Sequence, residues 1–308
     1  MHRTIEASVP SAATNKIIEE LLSNPHVVSL NLIPKASLKP IGDTLFIHVL
    51  NRGADGVFKI IQKHTNGREF SILTSEIASL NDAQHQKEIN HDIDEAIWEE
   101  METGLRHNGR ITQNYLILMF VGGVVATIGF ISQVHDMVIA FIAASIIAPG
   151  LEPVAKIPLG IALRKQDVLW TGLKASFIGY ITLMIASSLT FLVLVHYGGA
   201  TERDFIENEA TEGLLHIRLK DYILSFAAAT ASIIMYLSYR RNVIAGPLIA
   251  LVLVPAASAV GISVYLGRWD DMTSFLQRLL ADVILIITVG ICWIWIKQKV
   301  VHKRKPIR

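Results

Sequence analysis

The stretch Ile146-Ile147-Ala148-Pro149-Gly150-Leu151-Glu152-Pro153 decides the fold, because it places helix breakers and a carboxylate inside a run otherwise apolar enough to cross a bilayer. Proline removes a backbone donor and clashes with the preceding turn. The helix that begins near Met137 is therefore expected to stop or kink near Ala148. Backbone left unpaired at membrane depth survives only against protein or water, so this stretch predicts a buried polar junction.

A second apolar run, Leu251-Val252-Leu253-Val254-Pro255-Ala256-Ala257-Ser258, also places a proline inside a segment long enough for a membrane helix. We therefore expect a second broken helix at Pro255. Paired interruptions in the two halves of a membrane protein indicate a substrate or ion site where the broken helices meet.

The composition indicates an integral membrane protein with a soluble front. The chain has 308 residues, of which 51% are hydrophobic, and its mean hydropathy is +0.43, with the apolar residues concentrated after Tyr115. A net charge of +1 favours neither a nucleic-acid partner nor an acidic substrate. The N-terminus lacks the basic-then-apolar pattern of a cleaved signal peptide. The single cysteine, Cys292, excludes an internal disulfide and a multi-cysteine metal site.

Six segments are long enough to span about 30 Å of hydrocarbon, which needs roughly 20 helical residues each. The predicted spans cover residues 115–134, 137–163, 168–196, 219–239, 243–266 and 279–296. Basic residues flank the spans on one side of the membrane, namely Arg106, Arg110, Arg164, Lys165, Arg240, Arg241, Lys297, Lys299, Lys303, Arg304 and Lys305. The acidic loop at 202–212 falls on the other side. The positive-inside rule therefore places both termini, including the basic tail at 301–308, in the cytoplasm.

The soluble front, residues 1–78, alternates strand-like and helix-like segments. Strands are predicted at 5–9, 26–33, 44–50 and 69–73, and helices at 12–22 and 56–63. The order β-α-β-β-α-β is typical of a ferredoxin-like α+β sandwich, which we expect in the cytoplasm. Residues 79–114 then form a connector, in which apolar residues four apart over 82–106 predict one charged amphipathic helix.

A weak internal repeat relates the two halves of the membrane domain. A shift of 106 positions lays Pro149 on Pro255 and Ala175 on Ala281 without a gap. The repeats would cover about 115–197 and 219–297, with three spans each. Because three is odd, the second copy must enter the membrane from the opposite side, so the two units are predicted to be inverted repeats. In such folds the broken helices meet near the midplane and present dipole ends to a solute.

Glu152 is the strongest candidate for an ion-binding residue, because an ionisable side chain at membrane depth is costly and tends to be functional. In the repeat register Glu152 falls on Ser258 and Asp282 falls on Ser176. Carboxylates, hydroxyls and freed carbonyls suit a cation or a proton, since hard cations prefer oxygen ligands. The predicted substrate or ion site comprises Glu152, Pro149, Gly150, Lys156, Pro255, Ser258, Ser176 and Asp282.

Each charged residue of this site also has a structural interpretation. Glu152 would only pair with Lys156 one turn further on, and Asp282 would lie near the external interface. Lys156 would extend its stem toward the cytoplasmic surface, whereas its functional interpretation is a counter-ion for Glu152 or an anion-binding group. The sequence alone leaves both interpretations open.

No motif supports catalysis or a cofactor. The histidines at segment ends lack the spacing and supporting partners of a metal site, and neither a glycine-rich phosphate loop nor a nucleophile-base set is present in the pattern. We therefore expect no enzymatic activity, no metal and no cofactor. Small-residue faces in the first and fourth predicted spans allow close helix approach, and a homo-oligomer is expected.

Three runs resemble the DUF389 family of prokaryotic hydrophobic membrane proteins, which is named for its unknown function. They are AASIIAPGLEPV at 143–154, LGIAL at 159–163 and GPLIALVLVPAASAVG at 246–261. The resemblance covers most of residues 115–290 and implies a multi-pass protein of the inner membrane, but no substrate. The chain departs from the family where members commonly carry a second proline after the one matching Pro255 and an asparagine near Asp282.

The sequence thus predicts an α-helical membrane protein of six spans, built as two inverted three-helix repeats with broken helices and preceded by the ferredoxin-like domain. The predicted function is a transporter or channel for a small solute or ion, with a cation or proton site at the broken-helix junction and a regulatory or assembly role for the soluble domain. The alternative is a membrane-anchored sensor, in which the soluble domain binds a small ligand without transport.

Overall fold

A computed structural model describes residues 2–77, 79–93, 95–108, 110–238 and 245–301. The described residues form one compact unit made mainly of residues 2–98 and another made mainly of residues 99–301. Several predicted features lie outside the described residues: the span ends at Tyr239 and Val243, and the basic flanks Arg240, Arg241, Lys303, Arg304 and Lys305.

The N-terminal unit has the predicted order β-α-β-β-α-β. Its elements are β1 (His2–Val9), α1 (Ser11–Leu22), β2 (Val27–Leu38), β3 (Ile41–Leu50), α2 (Asn51–Thr65) and β4 (Ser71–Ile77). Within the described part of the chain the strands form one antiparallel sheet in the order β2-β3-β1-β4. The predicted succession of elements and the small antiparallel sheet are therefore confirmed.

The core of this unit lies between one face of the sheet and the two helices. Along β1 every second side chain is fully buried, namely Ile5, Ala7 and Val9, as expected when one face of a strand is covered. Ile17 of α1 and Val57 of α2 are also fully buried, and the two helices contact each other as well as the strands. The period-2 and period-3.6 patterns that predicted these elements are thus the patterns that build the core.

The connector differs from its prediction. In place of one helix over 82–106, the structure has a short helix α3 (Gln86–Asn90), then non-helical residues, and then α4 (Trp98–Asn108). The prediction of a single connector helix is therefore wrong in its middle.

Tertiary hydrogen bonds explain the interruption. The Asp92 carboxylate accepts the backbone N–H of Asn51 at 2.5 Å and so caps the first turn of α2. The Asn51 side chain donates to the carbonyl of Ile93 at 2.7 Å, and the fully buried Arg3 donates to the carbonyl of Glu95 at 3.0 Å. These contacts use carbonyls that a continuous helix would need for itself.

The second unit is helical throughout its described regular structure. Its helices after α4 are α5 (Gln113–Phe130), α6 (Val134–Ile147), α7 (Leu151–Ala162), α8 (Gln166–His196), α9 (Glu202–Ile206), α10 (Glu209–Leu215), α11 (Leu219–Leu237), α12 (Ala245–Leu266) and α13 (Trp269–Val300). Helix α12 lies at the centre, in contact with α5, α6, α7, α8, α11 and α13. Its residues 253–263 are all buried.

Length and composition qualify three described helices, α5, α8 and α13, to cross a membrane. The pair α6 and α7 makes a fourth candidate when its two parts are taken as one bent span. The remaining predicted spans correspond to α11 and α12, of which residues 250–265 form a shorter apolar helix. The apolar helices of a membrane protein are therefore confirmed, whereas six crossings stay a prediction.

The break predicted at Pro149 is present. Helix α6 ends at Ile147, Ala148 is extended with φ −79° and ψ 117°, and α7 begins at Leu151 after a bend of 52°. An extended conformation is what a residue before proline prefers. The Gly150 N–H donates to the carbonyl of Ala148 at 2.7 Å, which closes a tight turn instead of a helical turn.

The break predicted at Pro255 is absent, and that prediction is wrong. Helix α12 runs through Pro255 without interruption from residue 245 to residue 266. No glycine follows this proline, and the next residues are Ala256 and Ala257, which are strong helix formers. Neighbouring helices surround the segment and hold it, which is how membrane helices tolerate an internal proline.

Candidate functional site

The candidate site begins at the break between α6 and α7, where a tyrosine satisfies a backbone group freed by the break. The Tyr180 hydroxyl of α8 donates to the carbonyl of Gly150 at 3.1 Å, and both groups are buried. A Cβ at position 150 would lie 2.9 Å from the Tyr180 hydroxyl oxygen, so glycine makes this approach possible. The carbonyl of Gly150, predicted to be available to a solute, is therefore occupied by the protein itself.

Glu152 lies in the first turn of α7, directly after the break. Its carboxylate accepts hydrogen bonds from its own backbone N–H and from Tyr236 of α11. A carboxylate in this position is favoured by the positive end of the helix dipole. Its second oxygen, Oε2, is buried and has no hydrogen-bond partner among the described residues.

Lys156 lies one turn beyond Glu152 on α7 and interacts electrostatically with its carboxylate. The structural interpretation required the Lys156 side chain to reach the surface. The residue is only 1% exposed, so it does not. A Cβ on Gly172 of α8 would lie 2.8 Å from the Lys156 Cβ, which shows how closely α8 covers the lysine. The geometry favours the interpretation of Lys156 as a counter-ion for Glu152.

Two tyrosines complete the surroundings of the carboxylate. Tyr115 of α5 donates to the carbonyl of Ala175 at 2.8 Å, and Tyr115 and Tyr180 both lie close enough to Glu152 to interact with it electrostatically. The three tyrosines come from α5, α8 and α11, so the site is built by helices far apart in the chain. We call Glu152, Lys156, Tyr115, Tyr180 and Tyr236 the α7 site.

The two predicted serine ligands do not join the α7 site by hydrogen bonds. Ser258 is fully buried at the centre of α12, and its Oγ has no hydrogen-bond partner among the described residues. The same holds for the buried Oγ of Ser176 on α8. Pro255 lies within the continuous part of α12. These positions are polar or helix-distorting points near the core, but no described contact connects them to the carboxylate.

Asp282 belongs to a separate cluster. Its Oδ2 accepts the Nε–H of Arg278 at 2.8 Å, one turn earlier on α13, and Arg278 also donates to the Ser225 hydroxyl of α11 at 3.1 Å. Arg278 is 5% and Asp282 2% exposed. The Tyr222 ring lies 5.8 Å from the guanidinium carbon. A carboxylate so paired neutralises a buried guanidinium, and the placement of Asp282 beside Glu152 predicted from pseudo-symmetry is not observed in these contacts.

Sequence reasoning missed Tyr115, Tyr180, Tyr236 and Arg278. Only Arg278 carried a readable signal, since a basic residue four positions before an acidic one on a helix predicts a pair. The tyrosines lie in apolar runs where aromatic residues are ordinary. Their hydroxyl partners are backbone carbonyls and a carboxylate on other helices, which sequence spacing does not reveal.

The chain is similar to one known family over part of its length. Residues 145–288 match the model of a domain of unknown function, DUF389. The matched segment contains the break, the α7 site residues Glu152, Lys156, Tyr180 and Tyr236, and the Arg278–Asp282 pair. No curated protein matches the chain.

Proposed function

We propose that the protein, whose residues 145–288 match the model of the DUF389 family and lie mostly in apolar helices, is a membrane transporter or channel for a small solute or ion, with Glu152 as a proton or cation site. The bilayer, the translocated solute and further copies of the chain are its proposed partners. The proposed location is a prokaryotic inner membrane with both termini in the cytoplasm, which the charge signs of the flanking residues favour.

One observation carries the proposal: Oε2 of Glu152 is buried without a hydrogen-bond partner among the described residues. It lies directly after the break between α6 and α7, the pair of described apolar helices that together form one bent candidate span. A buried polar atom without a hydrogen bond is costly, and an ionisable group inside a membrane protein tends to be kept for function. An acceptor in this state is ready to take a proton or a cation.

The number of available ligands narrows the choice between a proton and a cation. The Lys156 ammonium opposes a proton and a monovalent cation alike. A hard cation needs several oxygen ligands, whereas a proton needs one acceptor, and Oε2 of Glu152 is a buried acceptor without a partner among the described residues. We therefore favour a proton as the ion that Glu152 exchanges.

The helix contacts support the inverted repeat as part of the proposal. Helix α8 packs on α12, and α13 packs on α7, so the third helix of each half contacts the middle segment of the other. A Cβ at Gly261 of α12 would lie 2.2 Å from the Met184 carbonyl oxygen of α8, and one at Gly290 of α13 would lie 2.6 Å from Pro158 of α7. In the 106-residue register Met184 falls on Gly290 and Gly261 falls on Ala155, which lies one turn before Pro158, so the two contacts are close to the positions that a pseudo-two-fold exchange requires.

Proton flux into proteoliposomes tests the function. A potassium gradient in the presence of the ionophore valinomycin sets a membrane potential that drives the flux, and a pH-sensitive dye reports it inside the vesicles. We expect wild-type protein to conduct protons and Glu152→Gln to lower the rate by about tenfold or more, because an amide cannot exchange the proton. Glu207→Gln removes an exposed carboxylate from the loop after α8 and serves as the matched control. Unchanged flux and an unchanged pH profile in Glu152→Gln would contradict the proposal.

The sensor alternative makes a different prediction for the soluble unit. A transporter that lacks residues 1–80 should keep Glu152-dependent flux in an unregulated form. A sensor should show no Glu152-dependent flux with or without those residues, and should lose its ligand binding when they are removed.

A further inference from the structure

We propose that helix α4 regulates the α7 site through a clamp formed by Met101, Glu102 and Lys165, so that the state of the soluble domain controls proton exchange at Glu152. This inference rests on the proposed function and names its regulation. Two separate links lead from α4 to the α7 site, and a third set of contacts fastens the chain segment that leads into α4.

The first link is apolar. Met101 of α4 is 4% exposed and lines a cavity together with Ala155, Leu159, Ile233, Tyr236, Leu237 and Ile294. Tyr236 is the residue that hydrogen-bonds the Glu152 carboxylate. The position of the Met101 side chain therefore affects the space in which the Tyr236 ring moves. Methionine is unbranched and flexible, which suits a contact that shifts rather than breaks.

The second link is ionic. Glu102 of α4 forms a hydrogen-bonded ion pair with Lys165 in the turn between α7 and α8. That turn is tight: Arg164 has a positive φ of 54°, and the Lys165 N–H donates to the carbonyl of Gly160 at 2.9 Å. A displacement of Lys165 is therefore transmitted to α7, the helix whose first turn carries Glu152.

The chain enters α4 from the soluble unit, whose main segment ends at Trp98, the first residue of α4. The segment before it is fastened to that unit by the hydrogen bonds of Arg3, Asn51 and Asp92. Burial acts to raise the pKa of Asp92, but the hydrogen bonds from Asn51 and Arg52 outweigh it, so the pKa lies below its usual value and the anchor stays ionised at neutral pH. A rearrangement of the soluble fold would move this anchored segment and α4 with it.

The form of the clamp suits regulation. It consists of one largely buried ion pair, with side chains 18% and 11% exposed, and one apolar contact. These contacts are made by side chains that change partners by rotation about their own bonds, whereas the interlocked contacts of α7 with α8 at Gly160 and Gly172 change only if backbone moves. The clamp is therefore the point at which α7 is held reversibly.

A charge exchange tests the clamp in the full-length protein. Glu102→Lys and Lys165→Glu each replace attraction by repulsion, and the double variant restores an opposite-charge pair. We expect each single variant to shift the pH profile of the Glu152-dependent flux and to change its rate by about fivefold or more, a usual size for coupling between sites. The double variant should return both quantities to near the wild-type values. Arg268→Glu disrupts an exposed ion pair at the start of α13 and should leave them unchanged.

A second readout does not depend on transport. Ala155→Cys in a Cys292→Ser background places a thiol in the cavity beside Met101 and Tyr236, where maleimide labels it only when the cavity opens. Both single variants should label faster than the parent, and the double variant should label at the parent rate. Glu102→Gln removes the attraction without changing the shape of the side chain and replaces the reversed-charge variants if they do not fold. It should label at a rate between those of the parent and the reversed-charge variants.

The outcomes separate the two claims. If wild-type protein shows no Glu152-dependent flux but labelling follows the charge exchange, the proposed function fails and the clamp stands. If labelling and the pH profile are the same in all folded variants, or if the double variant behaves like the single ones, the clamp is overturned whatever the transport result.

Discussion

The two halves of the membrane unit, residues 113–196 and 219–300, both carry a central proline and an acidic residue with a buried oxygen, but these residues have different surroundings. In the first half Pro149 ends a helix and Glu152 follows the break with one oxygen unpaired. In the second half Pro255 lies inside the continuous helix α12, and Asp282 of α13 pairs with Arg278 of the same helix, while its other oxygen, Oδ1, is also buried without a hydrogen-bond partner among the described residues. The first half therefore places its carboxylate at a helix break, whereas the second half places its carboxylate in an arginine pair within a continuous helix.

The difference teaches that a proline does not break a membrane helix by itself. At Pro149 the next residue is glycine, and Tyr180 supplies a donor for the Gly150 carbonyl. At Pro255 the next residues are alanines, and helices on all sides hold the segment in place. A break is stable where the groups that it frees find partners and where the chain after it is free to turn.

The largest expected effect concerns the buried acidic residue of the second half. Asp282→Asn leaves the Arg278 guanidinium buried without a counter-charge and should lower the free energy of unfolding by about 3–5 kcal/mol. Asp271→Asn breaks the Arg268–Asp271 pair, which is partly exposed on the same helix, and should cost about 1 kcal/mol or less. Unfolding in mixed detergent and denaturant micelles measures both. Equal losses of stability in Asp282→Asn and Asp271→Asn would show that the Arg278–Asp282 pair is not structural, and Asp282 would then be a candidate for function like Glu152.

The next effect concerns the packing that holds α12 straight. Gly261→Ala places a Cβ 2.2 Å from the Met184 carbonyl oxygen and should cost about 2–3 kcal/mol, because backbone has to move. Gly213→Ala in α10, where a Cβ would meet no described atom within 4 Å, should be neutral or stabilising by about 0.5–1 kcal/mol. The same unfolding titration compares the two variants. A neutral Gly261→Ala would indicate that α8 does not confine α12.

A smaller effect is expected at the break itself. Tyr180→Phe removes the donor to the Gly150 carbonyl and should lower the free energy of unfolding by about 1–2 kcal/mol, since a buried carbonyl loses its partner. Tyr197→Phe changes a tyrosine that is 81% exposed and provides the control. If Tyr180→Phe keeps full stability, another group satisfies the Gly150 carbonyl, and the contrast between the halves no longer depends on Tyr180.

The smallest effect is expected at Pro255. Pro255→Ala returns a backbone donor to α12, while the smaller side chain loses some packing, so the two changes nearly cancel and the net change should be about 1 kcal/mol or less. Glu152-dependent flux should persist. A loss of flux with stability retained would show that the second proline has a role in the site, as the sequence pattern suggested.

The N-terminal unit was predicted from the sequence almost element by element. Its strands and helices are short, amphipathic and bounded by turns, so local periodicity and burial agree, as at Ile5, Ala7 and Val9. The connector was not readable, because the interruption at Asp92 depends on hydrogen bonds to Asn51 from a distant part of the chain. Local amphipathicity there indicated a helix that tertiary contacts divided.

In the membrane unit the sequence located the ionisable residues whose burial is costly, but not the residues that pair with them. Glu152 and Asp282 are conspicuous because ionisable residues are rare in apolar runs. Tyr236 hydrogen-bonds Glu152 and Arg278 hydrogen-bonds Asp282, and each acid keeps one buried oxygen without a partner among the described residues. The 106-residue register placed the two acids at one junction because it compares positions along the chain. In the structure Glu152 lies on α7 and Asp282 on α13, and the contacts described for the two acids involve different residues.

By itself the sequence determined what each segment is able to be: which runs are apolar enough for a bilayer, where the soluble front alternates strands and helices, and which residues carry a charge that burial makes costly. These are local properties, since they depend on side-chain polarity and backbone stereochemistry within a few turns. Only the tertiary structure decided which proline breaks its helix and which side chains surround each carboxylate, because hydrogen-bond partners and packing neighbours are largely supplied by segments distant in the chain.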